Sequence, residues 1–328
     1  MISERGDARA GLIALERSGI GAGVLSPTEI LTGDGSALLL ARRLQSLDGV
    51  QGAVAPAGAA WRRDSVALVD VLDHSDSSTT ITRLRAAAHA LGSDVRVGGI
   101  VAQNSDFISA VYGSFPMMIA LVALLTFILL ARAFRSLLLP FKAVLLNVVS
   151  VAAAWGVLVL VWQKGYGSTA LWGLPAAGSI PSWLPLIVFA FLFGLSMDYE
   201  VFILARMREE YDRTGLTDTA VVQGIGRTGR LVTCAALILF LGFVAMATAP
   251  SSQVKMIATG LGAGIILDAT VIRGLLVPAA VALFGRWNWY LPARAARLLR
   301  VPPALHREST ADAAEPTSDA SEPAKAAA

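Results

Sequence analysis

Cysteine is almost missing from this 328-residue chain. Cys234 is the only one, and it lies in an apolar run, which leaves no disulfide and no thiol chemistry to build on. Histidine is nearly as scarce, and His74, His89 and His306 are too scattered for a histidine-based metal site, so no metal is expected. Charged residues make up only 16% of the chain and sum to +3, which does not point to nucleic acid. No apolar segment precedes residue 115, so nothing visible would carry the polar stretch before it across a membrane.

Aliphatic side chains are what the sequence has in excess: hydrophobic residues reach 55% and the mean hydropathy is +0.62. They are concentrated after residue 112. A membrane span needs about 20 mostly apolar residues. Five runs qualify: Phe115–Ala133, Leu139–Trp162, Trp183–Ala205, Leu231–Ala249 and Met256–Phe284. Residues 113–285 therefore read as a bundle of five transmembrane helices, and 286–328 as a cytoplasmic tail that is largely disordered, because from Pro302 it has almost nothing to bury. Trp155, Trp162, Trp172 and Trp183 read as interfacial anchors.

Basic side chains set the expected topology. Arg132, Arg135 and Lys142 follow the first run, Arg206, Arg208, Arg213, Arg227 and Arg230 join the third to the fourth, and Arg286, Arg294, Arg297 and Arg300 follow the fifth. The opposite loops hold only Lys164 and Lys255. The positive-inside rule then puts the basic loops and the C-terminus in the cytoplasm and residues 1–112 outside. With no leader to export that domain, the chain reads as the second part of a larger system, its N-terminal half fused or supplied as a partner; a first span acting as a reverse anchor is the alternative.

Within residues 1–112, Asp7–Arg17 reads as a helix, Gly23–Leu31 as a strand and Ser36–Leu47 as a helix with LLLARRL on its apolar stripe. Strands over Gln51–Ala55 and Ser65–Leu72, a helix over Ser78–Leu91 capped by Ser77 or Ser78, and a strand over Asp94–Val101 complete a β-α-β-β-α-β order. That order is the split βαβ, ferredoxin-like arrangement. Asn104–Tyr112 is expected to run as a helix into the first span.

The third apolar run contains Asp198 and Tyr199. Counted from Trp183, Asp198 lies about 22 Å into a hydrocarbon core of about 30 Å. A carboxylate there costs roughly 2.5–3.5 kcal/mol, and such residues mark ion or proton routes. Tyr199 can donate a hydrogen bond to a carboxylate. Gly194, one turn earlier, admits a close neighbouring helix. On the fifth run Gly260, Gly264 and Asp268 recur every four residues, giving a face that is small and then acidic; Asp268 is either a second relay group or a packing partner of Arg273. Asn147 and Ser150 form a polar face suited to packing, and Glu200 points away from Asp198. The GIGRTG run, with Gly224, Gly226 and Gly229, satisfies a dinucleotide-binding spacing but leads into a membrane span, so that reading is discarded. Asp70, Asp73, His74 and Asp76 fall at a strand end and read as solvated turn residues, and the charged run Arg206–Tyr211 as a solvated face.

GLSMDYEVFILARMREEY, over 194–211, resembles the signature of the MmpL-type transporters of the resistance-nodulation-division superfamily. VRVGGIVAQNSDFISAVYGSFPMMIAL resembles that family's passage from its second porter domain into a span, and GLGAGIILDATVIRGLLVPA its last span. The resemblance covers roughly residues 10–290 and implies the C-terminal half of a transporter with twelve spans and two porter domains, Asp198 and Tyr199 being one of two Asp-Tyr pairs in a proton relay. It also implies a lipid or other hydrophobic substrate, a proton gradient in place of any cofactor, and either a monomer or a homo-oligomer. Three function classes follow: a proton-driven exporter, a non-transporting accessory half that needs an N-terminal partner, and an intramembrane aspartyl protease using Asp198 and Asp268. The third ranks last, because the order here is Asp-Tyr and Asp268 follows Ile266 and Leu267 where such enzymes carry Gly-x-Gly-Asp.

Overall fold

The computed structural model describes residues 7–73, 78–90 and 94–301. The cap at Ser77, the polar side chains His74 and Asp76, Leu91 and the tail from Pro302 lie outside the described residues. The chain divides into two compact units, one made of Met1–Val122 with Gly165–Gly178 and Pro250–Gln253, the other of Ala123–Lys164, Ser179–Ala249 and Val254–Ala328.

In the first unit, α1 (Asp7–Arg17) is followed by β1 (Thr28–Gly33), α2 (Ala37–Gln45), β2 (Val50–Val54), the two-residue β3 (Arg62–Arg63), β4 (Val66–Asp73), α3 (Ser78–His89) and β5 (Arg96–Gly98). The sheet runs β2-β4-β1-β5, every pairing antiparallel, with β3 added beside β4. Strict alternation builds its inner face: Thr28, Ile30 and Thr32 of β1 and Ala67, Val69, Val71 and Asp73 of β4 are buried while their neighbours are not. Onto that face α2 lays Leu40, Ala41 and Leu44, leaving Leu38 and Leu39 exposed, and α3 adds Ile81, Leu84 and Ala88. Asp73 accepts a hydrogen bond from Thr28 Oγ1 at 3.1 Å. This buried contact corrects the reading of Asp73 as a solvated turn residue.

The first expected strand is shorter and later than its sequence suggests, because Ala22–Leu25 turns as a 3-10 helix. The last one ends early, at Gly98, and Gly99 begins α4 (Gly99–Phe134). Gly99 has φ +85, and a Cβ there would meet Glu29 N and Pro27 O at 3.0 Å. Only glycine lets the chain leave the sheet for the helix at that point.

Asp70 stands directly opposite Glu29 across β4 and β1. Partial burial, and then the Glu29 charge, push the Asp70 carboxyl above its ordinary 3.8. An acid whose folded pKa is raised gives the fold extra stability below its unfolded pKa, and loses it as pH rises through the folded pKa. Asp70→Asn is therefore expected to raise the thermal midpoint at pH 7, within the ~0.2–1 kcal/mol range of cross-strand pairs. The gain should shrink to nothing below pH 3.8, where the wild-type carboxyl is protonated too; a gain that persists at low pH would remove charge as its cause.

Among the described residues five helices are long and apolar enough to cross a membrane: Gly99–Phe134, Leu138–Gln163, Leu184–Thr214, Thr217–Met246 and Ser252–Trp289. They comprise α4; α5 (Leu138–Leu158), prolonged by a π-helical turn over Val159–Gln163; α7 (Leu184–Thr214), after the short α6 (Ser168–Trp172); α8 (Thr217–Met246); and a fifth span. That last span is α9 (Ser252–Leu267), a nine-residue π-helical segment (Asp268–Leu276) and α10 (Val277–Phe284), ending in the 3-10 turn Gly285–Trp289. The described chain closes with α11 (Ala293–Leu298).

In the second unit α7 packs against α5 and α8. It is the most enclosed of the five, with 44% of its apolar window buried against 11% for α8. Trp162 is 2% exposed, and Trp155 donates Nε1 to Pro185 O at 3.1 Å. Trp162 belongs to the interior of the helix packing, which corrects its reading as an anchor; Trp155 is half-buried. The charged run is likewise more than a solvated face. Glu210 is buried and bridges Arg213 and Arg227, the latter at 3.2 Å, which fastens the end of α7 to α8.

Candidate functional site

A cluster of polar side chains lies inside the second unit where α7 meets the π-helical segment. Asp268 is 7% exposed, Arg273 4% and Ser196 4%. Arg273 Nε donates to Asp268 Oδ2 at 2.7 Å, Ser196 Oγ donates to Asp268 Oδ1 at 2.9 Å, and Arg273 Nη2 donates to Ser196 Oγ at 2.8 Å and to the Ser196 carbonyl. The carboxylate thus has a partner on each oxygen, as a buried charge requires.

The π-helix makes this pairing work. Asp268 and Arg273 are five apart, a spacing that points to different faces of an α-helix but is brought into line by the wider i→i+5 turn. Ahead of the segment the face is flat. A Cβ on Gly260 would sit 2.9 Å from Leu158 Cδ1, and one on Gly264 2.3 Å from Leu192 Cδ1 and 3.2 Å from Ala154 Cβ. These two glycines let the fifth span close on α5 and α7 and so seat Asp268 against Ser196.

Tyr199 joins the cluster through its ring: the Arg273 guanidinium carbon lies 5.4 Å from the ring centroid, a cation–π distance. Asp198 does not join it. Its side chain is exposed on the outer face of α7, and Gly194, one turn earlier, is exposed too, with no atom within 4 Å of a Cβ built there. The close helix approach expected at Gly194 is therefore not made within this chain. Nor are Asp198 and Asp268 brought together in the way a two-aspartate protease needs.

Three residues were not singled out as site residues by the sequence. Nothing in the sequence around Ser196 sets it apart from other small residues in a helix. Arg273 entered only as a packing partner, although an arginine inside an apolar run is itself a signal. Glu200, one turn beyond Ser196, is 4% exposed.

A pocket opens beside the cluster, lined by Ser150, Ser196, Tyr199, Asp268 and Arg273 together with apolar side chains that include Leu192 and Val232. Among the described residues Ser150 Oγ and Arg273 Nη1 have no hydrogen-bond partner. The pocket thus offers a hydroxyl, a guanidinium arm and a phenol-bearing ring on one side of an otherwise apolar cleft. Among the described residues no group of three or more His, Cys, Asp or Glu side chains could hold a metal ion.

Helices of this length and order, with charges buried at a π-helical segment of the last span, define a multi-pass membrane protein. The chain belongs to the MMPL family, whose model matches residues 40–317; that family consists of transporters, not enzymes. It is 42% identical over 221 residues to the heme uptake protein MmpL11 of Mycobacterium tuberculosis, a match covering 67% of this chain and 22% of that protein. It is 42% identical over 198 residues to the mycolic acid-containing lipids exporter MmpL11 of Mycolicibacterium smegmatis (60% of this chain, 20% of the relative). To the trehalose monomycolate exporter MmpL3 of Mycobacterium tuberculosis it is 36% identical over 228 residues (70% and 24%). The chain thus spans between a fifth and a quarter of the length of these relatives.

Proposed function

We propose that this chain supplies the C-terminal half of a transporter that exports lipid or other hydrophobic molecules across the cytoplasmic membrane at the expense of the proton gradient, with Asp198 and Tyr199 as its proton relay. The observation that carries the reading is the Arg273 guanidinium stacked over the Tyr199 ring. It ties Tyr199, the chain neighbour of Asp198, to the buried Ser196–Asp268–Arg273 cluster that fastens the fifth span to α7, while Asp198 itself faces outward. The relatives named as lipid exporters supply the cargo class. The gradient supplies the work, about 2.3 kcal/mol per charge per 100 mV, and no cofactor is called for.

In this reading residues 1–112 are a porter domain of ferredoxin-like topology, a reading supported by the antiparallel order β2-β4-β1-β5 threaded through α2 and α3. They lie outside the cell, and the basic loops and C-terminus lie in the cytoplasm, as the distribution of arginine favours. The exposed Gly194 and Asp198 face of α7 favours a second reading alongside the first: an accessory half, inactive until an N-terminal partner covers that face.

The test uses the complete protein, N-terminal half included, in proteoliposomes with an imposed pH gradient and a labelled glycolipid. Asp198→Asn is expected to abolish gradient-dependent export while membrane insertion and thermal unfolding stay as in the wild type. Export that continues unchanged in this variant removes the relay assignment. Activity of this chain by itself would remove the accessory reading.

A further inference from the structure

We propose that residues 285–301 form a binding surface for the headgroups of anionic phospholipid, through Arg286, Arg294, Arg297 and Arg300. The segment is not a loose end. Trp289, Leu291 and Ala296 are buried, and the Trp289 ring stacks on Tyr211 at 4.2 Å while its Nε1 donates to Thr217 Oγ1 at 3.0 Å. Asn288 is held from several directions. Ser136 Oγ donates to its carbonyl at 2.5 Å, Lys142 Nζ donates to its Oδ1, and its own Nδ2 donates to Val281 O at 2.6 Å. Farther along, Arg132 Nη1 donates to Leu299 O at 2.6 Å. The segment is thereby held against the end of the bundle, directly after the last span.

Its outward side has the composition of a membrane interface. All four arginines are exposed, and between them stand Trp287 at 62% and Leu298 at 85% exposure. Large apolar side chains this open are costly in water and favourable in the headgroup layer, where arginine also keeps its charge hydrated.

The arginines also differ from four on α7 and α8, although Arg132, Arg135 and Arg230 likewise have no ion pair among the described residues. Arg206, Arg208, Arg213 and Arg227, on α7 and α8, each have a carboxylate within ion-pair distance: Glu209, Asp212 and, for the last two, Glu210. Among the described residues none of Arg286, Arg294, Arg297 and Arg300 has one. Four uncompensated positive charges on a fixed, apolar-studded surface at the end of a membrane span match an anionic phosphate layer, and each basic group near such a layer adds attraction that salt screens. The assignment is independent of the transport reading and of which face of the membrane the segment occupies.

The experiment measures lipid selectivity directly. The full chain is reconstituted in phosphatidylcholine bilayers, and the motionally restricted fraction of spin-labelled phosphatidylglycerol is compared with that of spin-labelled phosphatidylcholine. A preference for the anionic lipid of roughly fivefold is expected at low salt, falling toward parity at high salt. The variant R286Q/R294Q/R297Q/R300Q should fall to parity at both, and the corresponding quadruple lysine variant should keep the preference. Equal association of the two lipids with the wild type overturns the proposal, including the case in which deleting 302–328 then creates a preference and so places the acidic tail on these arginines. A glutamine variant that keeps the full preference overturns it as well, by placing the selectivity elsewhere.

Discussion

Arg273→Met is expected to destabilise the bundle by about 3–5 kcal/mol, the usual cost of breaking a buried ion pair from one side. Methionine fills comparable volume, so the loss is electrostatic. Asp268 would keep only the Ser196 hydroxyl, and its Oδ2 would face apolar surroundings with its 2.7 Å partner gone. The charge-neutral pairing Arg273→Met with Asp268→Asn should recover much of the loss, because no net charge is then left buried. Arg273→Lys should fall in between: a single ammonium cannot span Asp268 and Ser196 as the guanidinium fork does. Denaturant unfolding of the purified chain in detergent reads all three, and additive effects of the two single substitutions would show that the pair is not coupled.

The second large effect concerns the glycines of GIGRTG. A Cβ on Gly224 would lie 2.6 Å from Met207 Cγ and 3.1 and 3.2 Å from Met207 N and Cα. Met207 is fully buried, and its backbone cannot yield as a side-chain tip can. Gly224→Ala should therefore force α8 away from α7 and cost about 1–3 kcal/mol. Gly226, two residues on, is exposed with nothing within 4 Å, so Gly226→Ala should instead gain up to about 1 kcal/mol from helix propensity. Opposite signs in thermal unfolding, two residues apart, are the signature of a packing role. Equal losses would mean that the glycines serve something other than the α7–α8 contact.

Much of the architecture could be read before the structure because period and length carry it. The alternation of β1 and β4, the stripe on α2 and the five apolar runs each have a counterpart in the structure. What hydropathy could not show was where the helices begin and end. α8 starts at Thr217, fourteen residues before Leu231, because its first turns are polar on one side and packed on the other. The site was half legible. Asp198, Tyr199 and Asp268 stand out as polar groups in apolar runs, but the Asp268–Arg273 alignment depends on a π-helical turn, which leaves no mark in a pattern read at 3.6 residues per turn. Ser196 and Glu200 stayed hidden because their roles come from a neighbouring helix. The exposure of Asp198 could not be foreseen either, since residue type alone does not say which side of α7 this chain covers.

The continuity of α7 has a mechanical consequence. Its 31 residues form one unbroken rod of about 46 Å, longer than a bilayer core of about 30 Å. α8, its most extensive neighbour, is equally continuous, but α5 and the fifth span, which also touch it, both carry π-helical turns. Along the rod, Asp198 and Glu210 are about 18 Å apart with no hinge between them. A rod without a hinge carries any displacement at the Asp198 turn to the clasp that Glu210 makes with Arg213 and Arg227, whereas α5 and the fifth span have π-helical turns at which to give.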